Sequence, residues 1–135
     1  MTRIFVDTGA WYALVDAKDP HHDPVVESMR EYRGHLITSN FVFDETLTLA
    51  RYRLGWQVAH RLGERLRDLR LTRLERVSPK DEEAAWSIFS RYRDKSFSFT
   101  DCTSFALVRR MELPLCLTLD ADFRTFGLHC IPEPA

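Results

Sequence analysis

Short apolar runs alternate with longer segments of helical periodicity along the whole chain, and this alternation limits the folds that the sequence can adopt. A short buried strand is predicted at residues 4–6, and further strands are predicted at 35–38, 115–119 and 128–131. Apolar and polar residues alternate over 71–77, which favours a half-exposed or edge strand there, and a continuation of the preceding helix is the alternative. Strands separated by helices are typical of a mainly parallel sheet that is covered on both faces. We therefore expect a three-layer α/β/α fold that takes in residues 1–135 as one domain.

Capping residues predict where several helices begin and end. Thr8 can cap a short first helix, and Asp23 followed by Pro24 is a good start for the second. Ser39 can cap the third helix, and Gly55 would end it. The predicted helices cover residues 11–15, 24–32, 40–54, 57–69, 79–92, 100–111 and 121–126.

The composition excludes several classes of protein. Apolar residues make up 44% of the chain, which is enough for a core. The apolar runs are far shorter than the roughly 20 residues of a membrane-spanning helix, and the N-terminal residues lack the apolar region of a secretion signal. We therefore predict a cytoplasmic protein without a membrane partner. The three cysteines are odd in number and far apart, which favours small buried side chains over disulfides or a zinc site.

Positive charge is concentrated in the middle of the chain, although the net charge is −1. Residues 51–76 contain eight arginines and three acids, so this segment could bind a polyanion. Arginine binds phosphate through a planar fork of donors, and the alternative is a solvated helix face with intrahelical ion pairs. The best candidates for phosphate binding are Arg51, Arg53, Arg61 and Arg65.

Two carboxylates directly follow predicted strands. Asp7 comes after residues 4–6, and Asp120 comes after residues 115–119. Sites in open parallel sheets form beyond the carboxyl ends of the strands, so these two side chains are expected at the same edge. Each alone could instead cap a helix or belong to a turn. Asp122 could join Asp120 in the site or cap the short helix that follows.

Two further acids lie on predicted helices. Glu45 shares a helix face with Val42 and Leu49, which predicts that it points inward, where a charge needs a partner or a metal. The alternatives are an ion pair with an arginine or a place at the edge of that face. Asp101 begins the inward face of its helix, which Phe105 continues, although an acid in the first turn of a helix has the same signature.

These acids together form an all-oxygen ligand set of the kind that Mg²⁺ or Mn²⁺ prefers. Without a cation the carboxylates would repel one another and their pKa values would be raised. With one or two cations the pocket could activate water against a phosphodiester. The five histidines are scattered, which argues against a zinc site, and no glycine-rich dinucleotide motif follows the first strand.

Four segments resemble the signature segments of PIN-domain ribonucleases, and most of all those of VapC-type toxins from toxin–antitoxin pairs. They are FVDTGAW at 5–11, SNFVFDETLTL at 39–49, SFTDC at 98–102 and TLDADF at 118–123. The resemblance implies cleavage of RNA that depends on Mg²⁺ or Mn²⁺, with Asp7, Glu45 and Asp101 as the core acids. Asp120 matches the fourth and less constant acid, and Asp122 is the alternative there.

The resemblance also implies supporting residues and partners. Thr8, Thr100 and Thr118 match hydroxyl positions beside the acids, and Asn40 matches a polar position before the helix that carries Glu45; all four would orient ligands. A homodimer is implied, as is an antitoxin that lies across the acidic groove and inserts an arginine or lysine. The alternatives are an RNA-processing nuclease without an antitoxin and a binding module that has lost catalysis.

Recognition of RNA usually involves bases that stack on aromatic side chains. Trp11, Tyr12 and Trp56 are the candidates in this sequence. Packing in the core is the competing explanation for each of them.

Overall fold

Five parallel strands form the central sheet of the protein, for which a computed structural model describes residues 2–134. The strands are β1 (Ile4–Val6), β2 (Leu36–Ser39), β3 (Thr72–Glu75), β4 (Leu115–Leu117) and β5 (Cys130–Ile131). Their order is β3-β2-β1-β4-β5, and every neighbouring pair is parallel. The predicted parallel sheet is confirmed, and β3 lies at an edge as its alternating sequence indicated.

Helices connect the strands and cover both faces of the sheet. They are α1 (Thr8–Val15), α2 (His22–Glu31), α3 (Asn40–Leu54), α4 (Trp56–Arg67), α5 (Pro79–Arg91), α6 (Phe99–Arg110) and α7 (Ala121–Phe126). The chain moves from β1 through β2 to β3 on one side and then returns to β4 and β5 on the other. Since crossover connections are right-handed, this reversal places α1–α4 and α5–α7 in different layers. The three-layer α/β/α fold is therefore confirmed.

Local capping chemistry set the limits of α3 as predicted. The hydroxyl of Ser39 accepts a hydrogen bond from the backbone N–H of Val42 at 3.1 Å, which satisfies a free donor of the first turn. Gly55 ends the helix with φ of 91°, a left-handed conformation that glycine adopts without strain. The side chain of Ser39 thereby fixes the direction in which α3 leaves the carboxyl end of β2.

The first two helices begin earlier than predicted. Asp7 is the N-cap of α1, so Thr8 is its first residue and not its cap. His21 is the N-cap of α2, because the carboxylate of Asp19 accepts the N–H of His21 at 2.8 Å and turns the backbone into the helix. Asp23 therefore lies inside the first turn, where Pro24 is also tolerated.

The core lies on both faces of the sheet. All three residues of β1 are fully buried, as expected for a central parallel strand. Trp11 is also fully buried, and its indole N–H donates to Thr38 Oγ1 at 3.2 Å. The three cysteines are buried, as predicted for them. Among residues 2–134, no helix combines the length and the apolar character needed to span a bilayer.

Candidate active site

The most acidic cleft lies beyond the carboxyl ends of β1 and β4, where the strand order reverses. Asp7 directly follows β1, and Asp120 is the N-cap of α7 after β4. Helices on the two sides of this point run to different layers, so the strand ends are left open to solvent. The topology thus brings together two acids that are far apart in the sequence.

Five carboxylates line this cleft, which has a volume of about 430 Å³. The lining residues are Asp7, Thr8, Gly9, Glu45, Ser96, Ser98, Asp101, Leu119, Asp120 and Asp122. All five acids that the sequence singled out are therefore neighbours in space. None of the described residues that line the cleft is an arginine, lysine or histidine. Negative charge is thus concentrated here without a counter-charge among the described lining residues.

Asp7 is the most deeply placed of these acids, with 5% of its surface exposed. Burial raises its pKa from 3.8 to about 7, and the charges of Asp101 and Glu45 add to the increase. Hydrogen bonds from the backbone N–H of Thr8 and from the hydroxyl of Thr118 oppose that increase. Asp7 is therefore poised to lose a proton when a cation approaches.

Asp101 serves both as a helix-capping residue and as a wall of the cleft. Its Oδ2 accepts the backbone N–H of Ser98 at 3.1 Å, and its own N–H donates to Ser98 Oγ at 3.0 Å. This capping box fixes the carboxylate at the start of α6. Burial raises the pKa of Asp101 to about 6, with added repulsion from Asp120 and Glu45. Asp101 thus begins the inward face of α6 and also caps its first turn.

Glu45 lines the cleft, but the prediction that it points into the core is wrong. The buried side of α3 is formed by Val42, Thr46 and Ala50, and Glu45 is exposed beside it. Its Oε1 accepts a hydrogen bond from the hydroxyl of Thr8 at 2.6 Å. This bond ties the carboxylate of Glu45 to Thr8, the first residue after Asp7.

Asp120 and Asp122 both lie at the mouth of the cleft. Asp120 Oδ1 accepts the N–H of Asp122 at 2.9 Å, and the N–H of Asp120 donates to Thr118 Oγ1 at 3.1 Å. Burial and the charge of Asp120 raise the pKa of Asp122. Asp101, Asp120 and Asp122 each place one carboxylate oxygen within 4.8 Å of the others. Asp122 thus adjoins the other acids of the cleft, and Asp120, not Asp122, caps α7.

Two of the supporting residues named from the resemblance have other contacts. Asn40 Oδ1 accepts the N–H of Val77 at 2.7 Å and so ties the start of α3 to the chain after β3. The carbonyl of Thr100 accepts from Thr103 Oγ1 at 2.6 Å, and among the described residues its hydroxyl has no hydrogen bond. Neither side chain lines the cleft. Ser96, which does line it, carried no signal in the sequence.

The candidate arginines lie outside the cleft on α3 and α4. Arg51, Arg53, Arg61 and Arg65 are all exposed. The guanidinium of Arg53 lies 5.4 Å from the ring centroid of Tyr12. Of the aromatic candidates for stacking on RNA, Trp11 is buried, whereas Trp56 is 58% exposed and stacks on His60.

The residues of the cleft fit a hard divalent cation. Carboxylate oxygens are the preferred ligands of Mg²⁺ and Mn²⁺, and here they are held by hydrogen bonds from Thr8, Ser98 and Thr118. Burial raises the pKa values of Asp7 and Asp101, and repulsion from the neighbouring carboxylates adds to the increase. A cation would remove this repulsion.

Comparison with known proteins places the chain among related sequences. The family model described as PIN domain matches residues 4–127. The 23S rRNA-specific endonuclease VapC20 of Mycobacterium tuberculosis is 35% identical over 127 residues, which cover 92% of this chain and 94% of that protein. The VapC ribonuclease of Archaeoglobus fulgidus is 28% identical over 123 residues, which cover 87% of this chain and 77% of that protein.

Solved structures agree with the sequence comparison. The crystal structure of Mycobacterium tuberculosis VapC20, a Sarcin-Ricin loop cleaving toxin, has a TM-score of 0.87 at 34% identity and covers 93% of this chain and 95% of that one. FitAcB from Neisseria gonorrhoeae has a TM-score of 0.73 at 16% identity and covers 96% of each chain. The second likeness concerns the fold alone.

Proposed function

Because the chain belongs to the PIN-domain family, we propose that it is a metal-dependent endoribonuclease and the toxin of a VapC-type toxin–antitoxin pair. The observation that carries this proposal is the cleft at the ends of β1 and β4, where five carboxylates meet without a basic residue among its described lining. With a divalent cation bound, such a site suits the cleavage of a phosphodiester. Without the cation, the carboxylates would repel the negative charge of the substrate.

Asp7, Glu45, Asp101 and Asp120 would hold Mg²⁺ or Mn²⁺, with Asp122 beside Asp120. The cation would supply a Lewis acid that polarises the phosphodiester and makes water a better nucleophile. Binding would favour the ionised forms of Asp7 and Asp101, whose pKa values burial raises to about 7 and about 6, so cation binding should strengthen as the pH rises through this range.

Hydrogen bonds within the chain prepare these ligands. Thr118 fixes Asp7, Thr8 fixes Glu45, and the backbone N–H of Ser98 fixes Asp101. Ligands held in this way lose little conformational freedom when the cation and the substrate bind. The carboxylates would therefore act as a rigid frame that sets the position of the attacked phosphorus.

The proposed substrate is RNA, since the two VapC relatives carry the names endonuclease and ribonuclease. A loop of ribosomal RNA is the first candidate to test, given the 35% identity with the 23S rRNA-specific enzyme. Arg51, Arg53, Arg61 and Arg65 remain predicted phosphate contacts at a distance from the cleft. Arg53 lies eight residues after Glu45 on the same helix, which is about 12 Å along its axis.

The proposed inhibitor is an antitoxin that fills the acidic cleft with an arginine or lysine. The uncompensated charge of the cleft favours such a group, because one cationic side chain would relieve the same repulsion as a metal ion. A homodimer and a cytoplasmic location complete the proposal.

The deciding experiment maps new RNA 5′ ends after controlled expression of the wild type and of Asp7→Asn. Asp44→Asn is the matched control, since Asp44 is an exposed acid next to Glu45 that does not line the cleft. We expect discrete cleavage sites with the wild type and with Asp44→Asn, and none with Asp7→Asn. The purified wild type should cleave the same sites with Mn²⁺ and not with EDTA. Equal cleavage by the Asp7→Asn protein would overturn the proposal.

A further inference from the structure

Two large aromatic side chains are exposed on α5, outside the acidic cleft. Trp86 is 60% exposed and Phe89 is 42% exposed. The two residues are three positions apart and share one side of the helix, and their rings stack with centroids 6.0 Å apart. A paired indole and phenyl ring that face solvent are typical of a binding surface.

Further aromatic rings connect this pair with the acidic cleft. Phe89 packs edge-on against Phe99 at 6.1 Å, and Phe99 lies 6.3 Å from Phe41. Phe99 is the first residue of α6, two positions before Asp101. Phe41 lies one helical turn before Glu45 on α3. We call Trp86, Phe89, Phe99 and Phe41 the aromatic row, and it ends beside two acids of the cleft.

The loop between α5 and α6 separates two cavities. Arg93, Lys95 and Phe97 line a cavity of about 400 Å³ together with Trp86 and Phe89. Ser96 and Ser98 line the acidic cleft. Successive residues of this loop therefore line opposite sides: Lys95 and Phe97 line the cavity beside the aromatic pair, and Ser96 and Ser98 line the acidic cleft. The two cavities are adjacent, with a single segment of backbone between them.

The charges of the two cavities are opposite. Arg91, Arg93 and Lys95 are exposed, and the one acid among them, Asp94, lies 3.5 Å from Lys95. A polyanionic strand in the acidic cleft would be stabilised by positive charge close to the cleft, and the basic residues of this loop carry such charge. Aromatic faces beside cations match the chemistry of a nucleotide, whose base stacks while its phosphate pairs.

We propose that Trp86 and Phe89, together with Arg93 and Lys95, form a subsite for a nucleotide that adjoins the cleavage point on the RNA strand. The base stacks on Trp86 and Phe89, and the flanking phosphate contacts Arg93 and Lys95. This subsite rests on the proposed function, because it needs a strand that passes through the acidic cleft. The cations around the aromatic pair favour RNA over an apolar protein surface as the occupant.

Tryptophan fluorescence provides the direct test. The experiment uses the full chain with Asp7→Asn and Trp56→Phe in Mg²⁺. The cation offsets the charge of the cleft, the substitution of Asp7 prevents cleavage, and Trp86 is the exposed tryptophan. The probe is a 12-nucleotide single-stranded oligoadenylate, and a heparin fragment serves as a polyanion without bases. We expect oligoadenylate to quench the fluorescence of Trp86 and heparin to leave it unchanged, because only a base can stack.

Substitutions separate stacking from charge. We expect Trp86→Ala to raise the Kd for oligoadenylate by about tenfold and Trp86→Phe to raise it much less. Arg93→Gln should lessen the dependence of the Kd on salt. Tyr52→Ala is the matched control, since Tyr52 is a 91% exposed aromatic on α3, and it should leave the Kd unchanged.

Two outcomes overturn the subsite. The first is wild-type affinity in Trp86→Ala with no quenching by oligoadenylate. The second is a dimer that Trp86→Ala converts to a monomer while the Kd stays constant, which would assign this face to a second copy of the chain. If the wild type cleaves RNA in either case, the proposed function stands and only the subsite fails. If the wild type neither binds nor cleaves RNA, both fail.

Discussion

The hydroxyl of Thr118 donates a hydrogen bond to Oδ2 of Asp7 at 3.1 Å, and Oγ1 of Thr118 accepts the backbone N–H of Asp120. One side chain thus sets the position of an acid from β1 relative to the segment after β4. Removing the hydroxyl frees both partners, although a residue of the same shape keeps the packing.

Thr118→Val should therefore weaken Mn²⁺ binding and RNA cleavage by about 10–100-fold, the range typical for residues that orient metal ligands. Thr118→Ser retains the hydroxyl and should recover most of both properties. Calorimetric titration with Mn²⁺ and a cleavage assay measure the two effects. Wild-type Mn²⁺ affinity in the valine variant would remove Thr118 from the site.

The acid at the end of β1 is predicted to cost stability when no metal is present. The pKa of Asp7 of about 7 means that ionising this buried carboxyl at pH 8 opposes folding by on the order of 4 kcal/mol at most. Asp7→Asn removes the charge, so the metal-free variant should be more stable than the wild type at pH 8, and Mn²⁺ should stabilise it less. Urea unfolding in EDTA and in Mn²⁺ measures both differences, with Asp44→Asn as the control that should follow the wild type.

Stability without metal should fall as the pH rises through the acidic range. Between pH 3.8 and about 7 the folded chain keeps a proton on Asp7 that the unfolded chain releases, so a rise in pH favours unfolding. Asp101 acts in the same direction up to about pH 6. In EDTA the melting temperature should be higher at pH 5 than at pH 7.5, and Mn²⁺ should reduce that difference by stabilising the ionised form. A melting temperature in EDTA that increases steadily from pH 5 to 7.5 would contradict these shifts.

An ion pair with a buried carboxylate joins α5 to the end of α6, away from the site. Arg110 Nε and Nη2 lie 2.8 and 2.9 Å from the two oxygens of Asp81, which is 2% exposed. Arg110→Met keeps much of the side chain and leaves the carboxylate without its partner. We expect a loss of roughly 2 kcal/mol, less than for fully buried pairs because the arginine side chain is partly exposed.

The exposed pair Arg70–Asp68 offers a matched control for this measurement. Arg70→Met should leave the midpoint of urea unfolding unchanged, because exposed ion pairs contribute little to stability. Equal effects of the two substitutions would show that the contact between Arg110 and Asp81 does not stabilise the fold.

Much of the fold and the acid set could be predicted because the relevant signals are local or follow from sheet geometry. Ser39 and Gly55 limit α3 by hydrogen bonds and dihedral angles that involve only neighbouring residues. Asp7 and Asp120 could be paired because parallel strands end at the same edge of the sheet. Neither prediction depends on how the helices pack against the sheet.

The errors arose where packing decides the outcome. Two faces of α3 pass through Val42, one with Glu45 and one with Thr46, and they differ by only a small rotation of the helix. Packing against the neighbouring elements decides which of the two is buried. The exposure of Trp86 and Phe89 could not be foreseen either, because two apolar residues at helical spacing have the same pattern whether they face the core or solvent. Ser96 reaches the cleft only through the path of the loop after α5.

The sheet order has a consequence for the time at which activity first becomes possible during synthesis. β1 emerges first from the ribosome, yet it lies between β2 and β4, and the contact of Asp7 with Thr118 spans 111 positions of the chain. A nascent chain without β4 holds Asp7 at the border of an unfinished sheet, where Thr118 and Asp120 are still missing. Because of this strand order, the proposed RNA-cleaving site cannot be complete until residues beyond 120 have left the ribosome.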